Sequence, residues 1–190
     1  MKQLAPLLTL LGSLLLTGCG SMLAAVEADS IEDQPDERNM AQRLEDESIE
    51  VKAIVNIHAA NTAFDDAHLI AVSYNGFVLL AGQVGTAELK AQAADEVRKI
   101  RGVRRIYNEI DVKAPTGALV RTSDAWITTK IKSWLLTNMD TPGMRTKVVT
   151  ENSVVYLMGL VSKEEARRIA DVAASVSGVT RVVQLFETIP

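Results

Sequence analysis

One cysteine, two histidines and few aromatic residues set the first limits on this 190-residue chain. A single cysteine, Cys19, has no partner for an internal disulfide. The histidines, His58 and His68, have only Asp65 and Asp66 near them, and neither metal-ligand spacing nor a nucleophile–base pair accompanies them. No zinc site, triad or cofactor is expected, and the chain does not read as an enzyme. His58 reads as an exposed helical residue and His68 as a loop residue. The glycines punctuate turns and form no phosphate-cradling loop. A membrane-spanning helix needs ~20 apolar residues, and the uncharged stretch from Leu4 to Leu16 is too short to be one.

That short stretch has a different use. Lys2 supplies a positive start, the apolar run follows, and Leu16-Thr17-Gly18-Cys19 looks like a lipobox. Small residues before the cysteine let a peptidase groove close on the chain, and the thiol accepts a diacylglycerol. Residues 1–18 are expected to be a signal peptide and Cys19 a lipid anchor carrying three acyl chains, palmitate among them. Each buried CH₂ contributes ~0.8 kcal/mol, so several chains hold firmly where one does not. The alternative is an ordinary secreted protein cut nearby with an idle thiol. Gly20 and Ser21 follow the cysteine where an inner-membrane lipoprotein of enteric type would have Asp. The expected address is the outer membrane, lipid-anchored and facing the periplasm.

The formal charge of −4 hides an asymmetry. Residues 20–50 hold ten acids against Arg38 and Arg43, whereas residues 51–190 hold 14 acids against 17 lysines and arginines. The acidic stretch reads as a solvated tether, residues 19–45 with the anchor. The mildly basic body suits anionic headgroups and falls far short of a nucleic-acid binder. Few aromatics and many Ala, Val, Ile and Leu fit small α/β units.

The body carries one pattern twice. The first copy has a helical segment 46–61, an apolar run 69–74, the turn Asn75-Gly76, and the run Phe77-Val-Leu-Leu-Ala-Gly-Gln-Val84. A helix 86–100 ends at Gly102-Val103, and a strand 105–112 closes the unit. The second copy repeats this with a helix 124–138, a strand 147–150, the turn Asn152-Ser153, the run 154–161, a helix 163–176 ending at Gly178-Val179, and a strand 181–188. Asn-Gly between apolar runs is a strong hairpin signal because both central residues need positive φ. Ser153 suits that role less well than glycine. Thr86 and Ser162 stand where helix N-caps belong, and Ser162 with Glu165 fits a capping box. Gly102 and Gly178 fit left-handed C-caps. The expectation is an α+β protein of two tandem αββαβ domains, 46–113 and 123–190, joined by a linker 114–122. Each has a three-stranded sheet with two helices on one face.

The hairpin-then-glycine segments NGFVLLAGQV and NSVVYLMGLV, with GVRRIYNEIDV and GVTRVVQLFETI, resemble the BON domain of bacterial envelope proteins. The segments SDAWITTKIKSWLLT and VTENSVVYLMGLVSKEEA behind a lipobox look like the dual-BON outer-membrane lipoproteins of the division- and outer-membrane-stress-associated lipid-binding family. That resemblance implies binding of anionic phospholipids (phosphatidylglycerol, cardiolipin), a place at the division site, and support of outer-membrane integrity. The long acidic tether and Ser153 depart from the usual pattern.

A helical wheel over 124–138 puts Ile127, Ile131, Trp134 and Leu135 on one inward stripe. Trp126, Thr129, Ser133 and Leu136 fall elsewhere, with Lys130 and Lys132 beside them. An indole prefers the headgroup level because its ring is apolar and its N–H wants a polar partner. The counterparts of Trp126 and Leu136 in the first unit are Ser48 and His58. The family's lipid-binding residues map onto Trp126, Lys130, Ser133 and Leu136, with Met139 at the helix end. Two alternatives stand beside that reading. The outward pair could instead pack against the first unit or the linker, or the body could be a scaffold for envelope protein partners.

Overall fold

The computed structural model describes residues 39–189. The signal peptide, Cys19 and the tether up to Arg38 lie outside the described residues. Helix α1 (Met40–Ala60) begins six residues before the expected start, inside the stretch whose charge reads as tether. Its start is set by Asn39, which accepts from the Gln42 amide while the Gln42 side chain accepts from the Asn39 amide.

From α1 the chain passes through a 3-10 turn into β1 (His68–Tyr74) and β2 (Phe77–Val84), then α2 (Ala87–Arg98) and β3 (Arg105–Val112). The second unit repeats the order: α3 (Ala118–Thr137), β4 (Thr146–Glu151), β5 (Val154–Val161), α4 (Lys163–Ala174) and β6 (Arg181–Gln184). A short strand β7 (Glu187–Thr188) follows. In each sheet the middle strand pairs antiparallel with its hairpin partner and parallel with the strand after the helix. The expected last strand 181–188 is interrupted. β6 and β7 both pair with β5, and between them Leu185 turns its side chain into the core, where it is 5% exposed.

β2 explains the architecture. All eight of its residues are buried, so both faces of the sheet are covered. Val78, Leu80 and Val84 pack under α1 and α2 with Ile49, Ala53, Ile57 and Val97. The alternate residues Phe77, Leu79 and Ala81 meet Tyr156, Met158 and Leu185 of the second domain. β5 divides in the same way, with Val155, Leu157 and Val161 under α3 and α4. The two sheets therefore stack face to face, and the helices of each domain lie on the outside. The expected three-stranded sheet with two helices on one face is present in the first domain. The other face is covered by the sister sheet.

Polar groups stitch the same interface. Gln83, fully buried, donates to Glu151 at 2.7 Å and accepts from the Thr116 amide at 2.9 Å. The Tyr74 hydroxyl donates to the Arg145 carbonyl at 2.8 Å. His68, expected in a loop, opens β1 and lies 3.3 Å from Glu151. A buried polar group is costly unless partnered, and among the described residues no buried side-chain polar atom is left without one.

A carboxylate in each first helix fixes the hairpin beside it. Asp46 accepts from the amides of Asn75 and Gly76 at 2.8 and 2.9 Å. Asp124 does the same for Asn152 and Ser153 at 2.8 and 2.9 Å. Both turns are two-residue turns with positive φ throughout, +51° and +64° at Asn152 and Ser153. Ser153 thus adopts the strained conformation that Gly76 adopts freely, and Asp124 holds it there.

Candidate lipid-contact surface

Because the sheets cover one another, the outer faces of the first helices point away from both sheets, and no other described element covers them. α3 starts at Ala118, taking in the second half of the expected linker. Its buried side holds Asp124, Ile127, Ile131 and Leu135. Trp126 and Leu136 are each 61% exposed, and Met139, just beyond the helix end, is fully exposed. Neither Trp126 nor Leu136 lies beneath the first domain. The alternative that this pair forms the domain interface is overturned, since that interface is built from sheet residues instead.

Lys130 is half-buried, and Lys132 and Ser133 are exposed. The Lys130 Nζ stands 5.1 Å from the Trp126 ring centre and 5.2 Å from that of Trp134. Trp134 is the correction to the wheel. It is 41% exposed and absent from the core, on the edge between the inner stripe and the outer face. Leu119, in the early turns that the linker assignment had hidden, and Met144, just past the helix, are also exposed apolar residues.

Three outward threonines add less polarity to this face than their number suggests. Thr122, Thr129 and Thr137 donate their hydroxyl hydrogens to the helix's own carbonyls, of Ala118, Ala125 and Ser133, at 2.9, 2.9 and 3.0 Å. The acid within α3, Asp124, is buried and holds the turn, so the helix's exposed charges are Arg121 and Lys132, with Lys130 half-exposed. An apolar, positively charged face with indoles suits the interface of an anionic membrane.

The outer side of α1 is different. Met40, Leu44, Val51 and Val55 form an exposed aliphatic stripe, among Arg43, Glu45, Glu47 and Lys52. It has no aromatic residue and carries both signs of charge. Its helical spacing is legible in the sequence from Met40 onward, at positions other than the counterparts of Trp126 and Leu136.

Among the described residues no group of His, Cys, Asp and Glu could hold a metal, and no helix is long and apolar enough to cross a membrane. His58 is near Asp65 at 3.4 Å and edge-on to Phe64.

The matched sequence family agrees with this layout, since the BON domain model matches residues 46–114 and 123–190. The chain belongs to the BON-domain family. It is 31% identical over 187 residues to the outer membrane lipoprotein DolP of Haemophilus influenzae, covering 98% of this chain and 96% of that protein. It is 36% identical over 151 residues to a 21 kDa hemolysin of Actinobacillus pleuropneumoniae, covering 80% and 78% of the two chains. In fold it is compared with the C-terminal domain of CdsD, a type III secretion structural protein of Chlamydia trachomatis, at 11% identity and a TM-score of 0.32 over 74% of this chain and 99% of that one.

Proposed function

We propose that this protein is a non-catalytic outer-membrane lipoprotein, anchored through Cys19, that binds anionic phospholipid through the outer face of α3. By this reading it supports outer-membrane integrity and acts at the division site. The observation that carries the lipid contact is the exposure of Trp126 and Leu136 on a helix whose exposed charges are all basic. The likeness to an outer membrane lipoprotein over nearly the whole chain supports the address.

Cosedimentation tests it. A Cys19→Ser protein, unanchored, should bind vesicles containing phosphatidylglycerol or cardiolipin and bind neutral vesicles weakly. Trp126→Glu should abolish the binding, and unchanged binding by that variant refutes the site.

A second reading, an envelope scaffold for protein partners, is favoured by the aliphatic stripe on α1. Photo-crosslinking from position 126 separates the two, because capture of one protein in high yield at that position favours the scaffold.

A further inference from the structure

The chain contains two tryptophans, and both lie on α3. They are eight residues apart, about two turns, with Lys130 midway between them. The ammonium stands over both rings at nearly equal distance. We infer that Trp134 is a second bilayer-contact residue, and that Trp126, Lys130 and Trp134 dock as one unit with α3 lying in the plane of the headgroups. This inference rests on the phospholipid reading above.

Three features carry it. The first is length. Exposed apolar side chains occupy about 25 Å of the helix as a broad row: Leu119 and Trp126 lie within about 20° of one line, and Trp134 and Leu136 border it about 80° to either side. A helix entering end-on would use one end of that row. A helix lying flat uses all of it. The second is the Lys130 environment. Ring faces attract the ammonium but accept none of its hydrogen bonds in the ordinary sense, and no carboxylate among the described residues pairs with it. Its three N–H groups remain available for phosphate oxygens. With both indoles at headgroup depth, the ammonium between them lies at the level of the lipid phosphates. The third is the threonines at 122, 129 and 137, whose hydroxyl hydrogens are already bonded to helix carbonyls, so the hydroxyl donors left on this face for headgroups are those of Ser123 and Ser133.

The pairing also explains the position of Trp134. It lies about 80° round the helix from Trp126, against the edge of the buried stripe. It is part-packed on one side and part-open on the other, as expected of a ring that borders a membrane contact. Its counterpart in the first domain is Asn56, so the first domain has no such pair.

The intact protein labelled with 5-fluorotryptophan gives one fluorine resonance per indole, assigned with Trp126→Phe and Trp134→Phe. It is reconstituted with phosphatidylglycerol-containing vesicles that hold a lipid with a nitroxide high on its acyl chain. Both resonances should broaden together, and Trp134→Ala should lower vesicle affinity about fivefold. Broadening of Trp126 alone overturns this inference and leaves the α3 site standing. Broadening of Trp134 alone overturns the paired docking. Broadening of neither overturns the phospholipid reading itself.

Discussion

Arg104 of the first domain and Glu187 of the second face one another as a two-pronged ion pair, with guanidinium–carboxylate distances of 2.8 and 3.0 Å. Asn75 adds a third bond to the same carboxylate at 2.6 Å. Burial by itself raises the Glu187 carboxyl. The hydrogen bonds from Arg104 and Asn75 and the charge of Arg104 outweigh it, so the group lies below its ordinary value of 4.5. A carboxyl lowered by folding stabilises the folded state above its unfolded value, and that contribution is lost as pH falls through the folded value. Thermal melts below about pH 4.5 should therefore lose stability more steeply in the native protein than in Glu187→Gln. Parallel slopes would show that the pair contributes nothing to acid sensitivity.

The opposite limb of the pH profile belongs to Tyr156. Its phenol, between the sheets, is pushed up to about 12 by burial first and by nearby carboxylates, Glu109 foremost. An acid whose pKa is raised by folding stabilises below its unfolded value near 10 and loses that contribution as pH rises toward the folded one. Urea midpoints should fall between about pH 10 and 12, and Tyr156→Phe should flatten that fall.

The turn at Ser153 separates strain from its restraint. Ser153→Gly should raise unfolding stability by about 1 kcal/mol, because glycine reaches φ near +64° without a Cβ clash. Asp124→Ala should lower stability by about 1–3 kcal/mol, because it strands two turn amides. Guanidinium denaturation measures both. A destabilised Ser153→Gly would mean the serine makes contacts that offset its backbone.

The stacked sheets predict one unfolding unit. Leu79 and Met158 are fully buried from opposite sides of the domain interface. Met158→Ala should cost about 2–5 kcal/mol and shift the melting of both domains together, read by domain-specific amide exchange. Loss of protection confined to the second domain would show that the domains fold independently.

Gly102 has two reasons to be glycine. Its φ is +92°, and a Cβ there would stand 2.6 Å from a Glu45 carboxylate oxygen and 3.2 Å from the Ile49 side chain. Gly102→Ala should destabilise by more than about 1 kcal/mol and loosen α1 from the turn that precedes β3, seen as faster exchange of α1 amides. An unchanged midpoint would place α1 differently.

What the sequence determined by itself was local. The inner stripes of α1 and α3, the Asn75-Gly76 hairpin, the Ser162 cap and the glycines at 102 and 178 all follow from periodicity or backbone stereochemistry, which act within a few residues. The outward position of Trp126 followed from the same periodicity. The tertiary structure decided what covers each face. A two-residue strand period shows that β2 has two apolar faces. It does not show whether the second is met by helix, solvent or a sister sheet, because burial depends on groups far away in sequence. That is why Trp134 read as core, since its angle borders the packed stripe and only the packing beneath the helix decides on which side of the edge it falls. It is also why the sheet-to-sheet contact, and not the helices, turned out to hold the domains together.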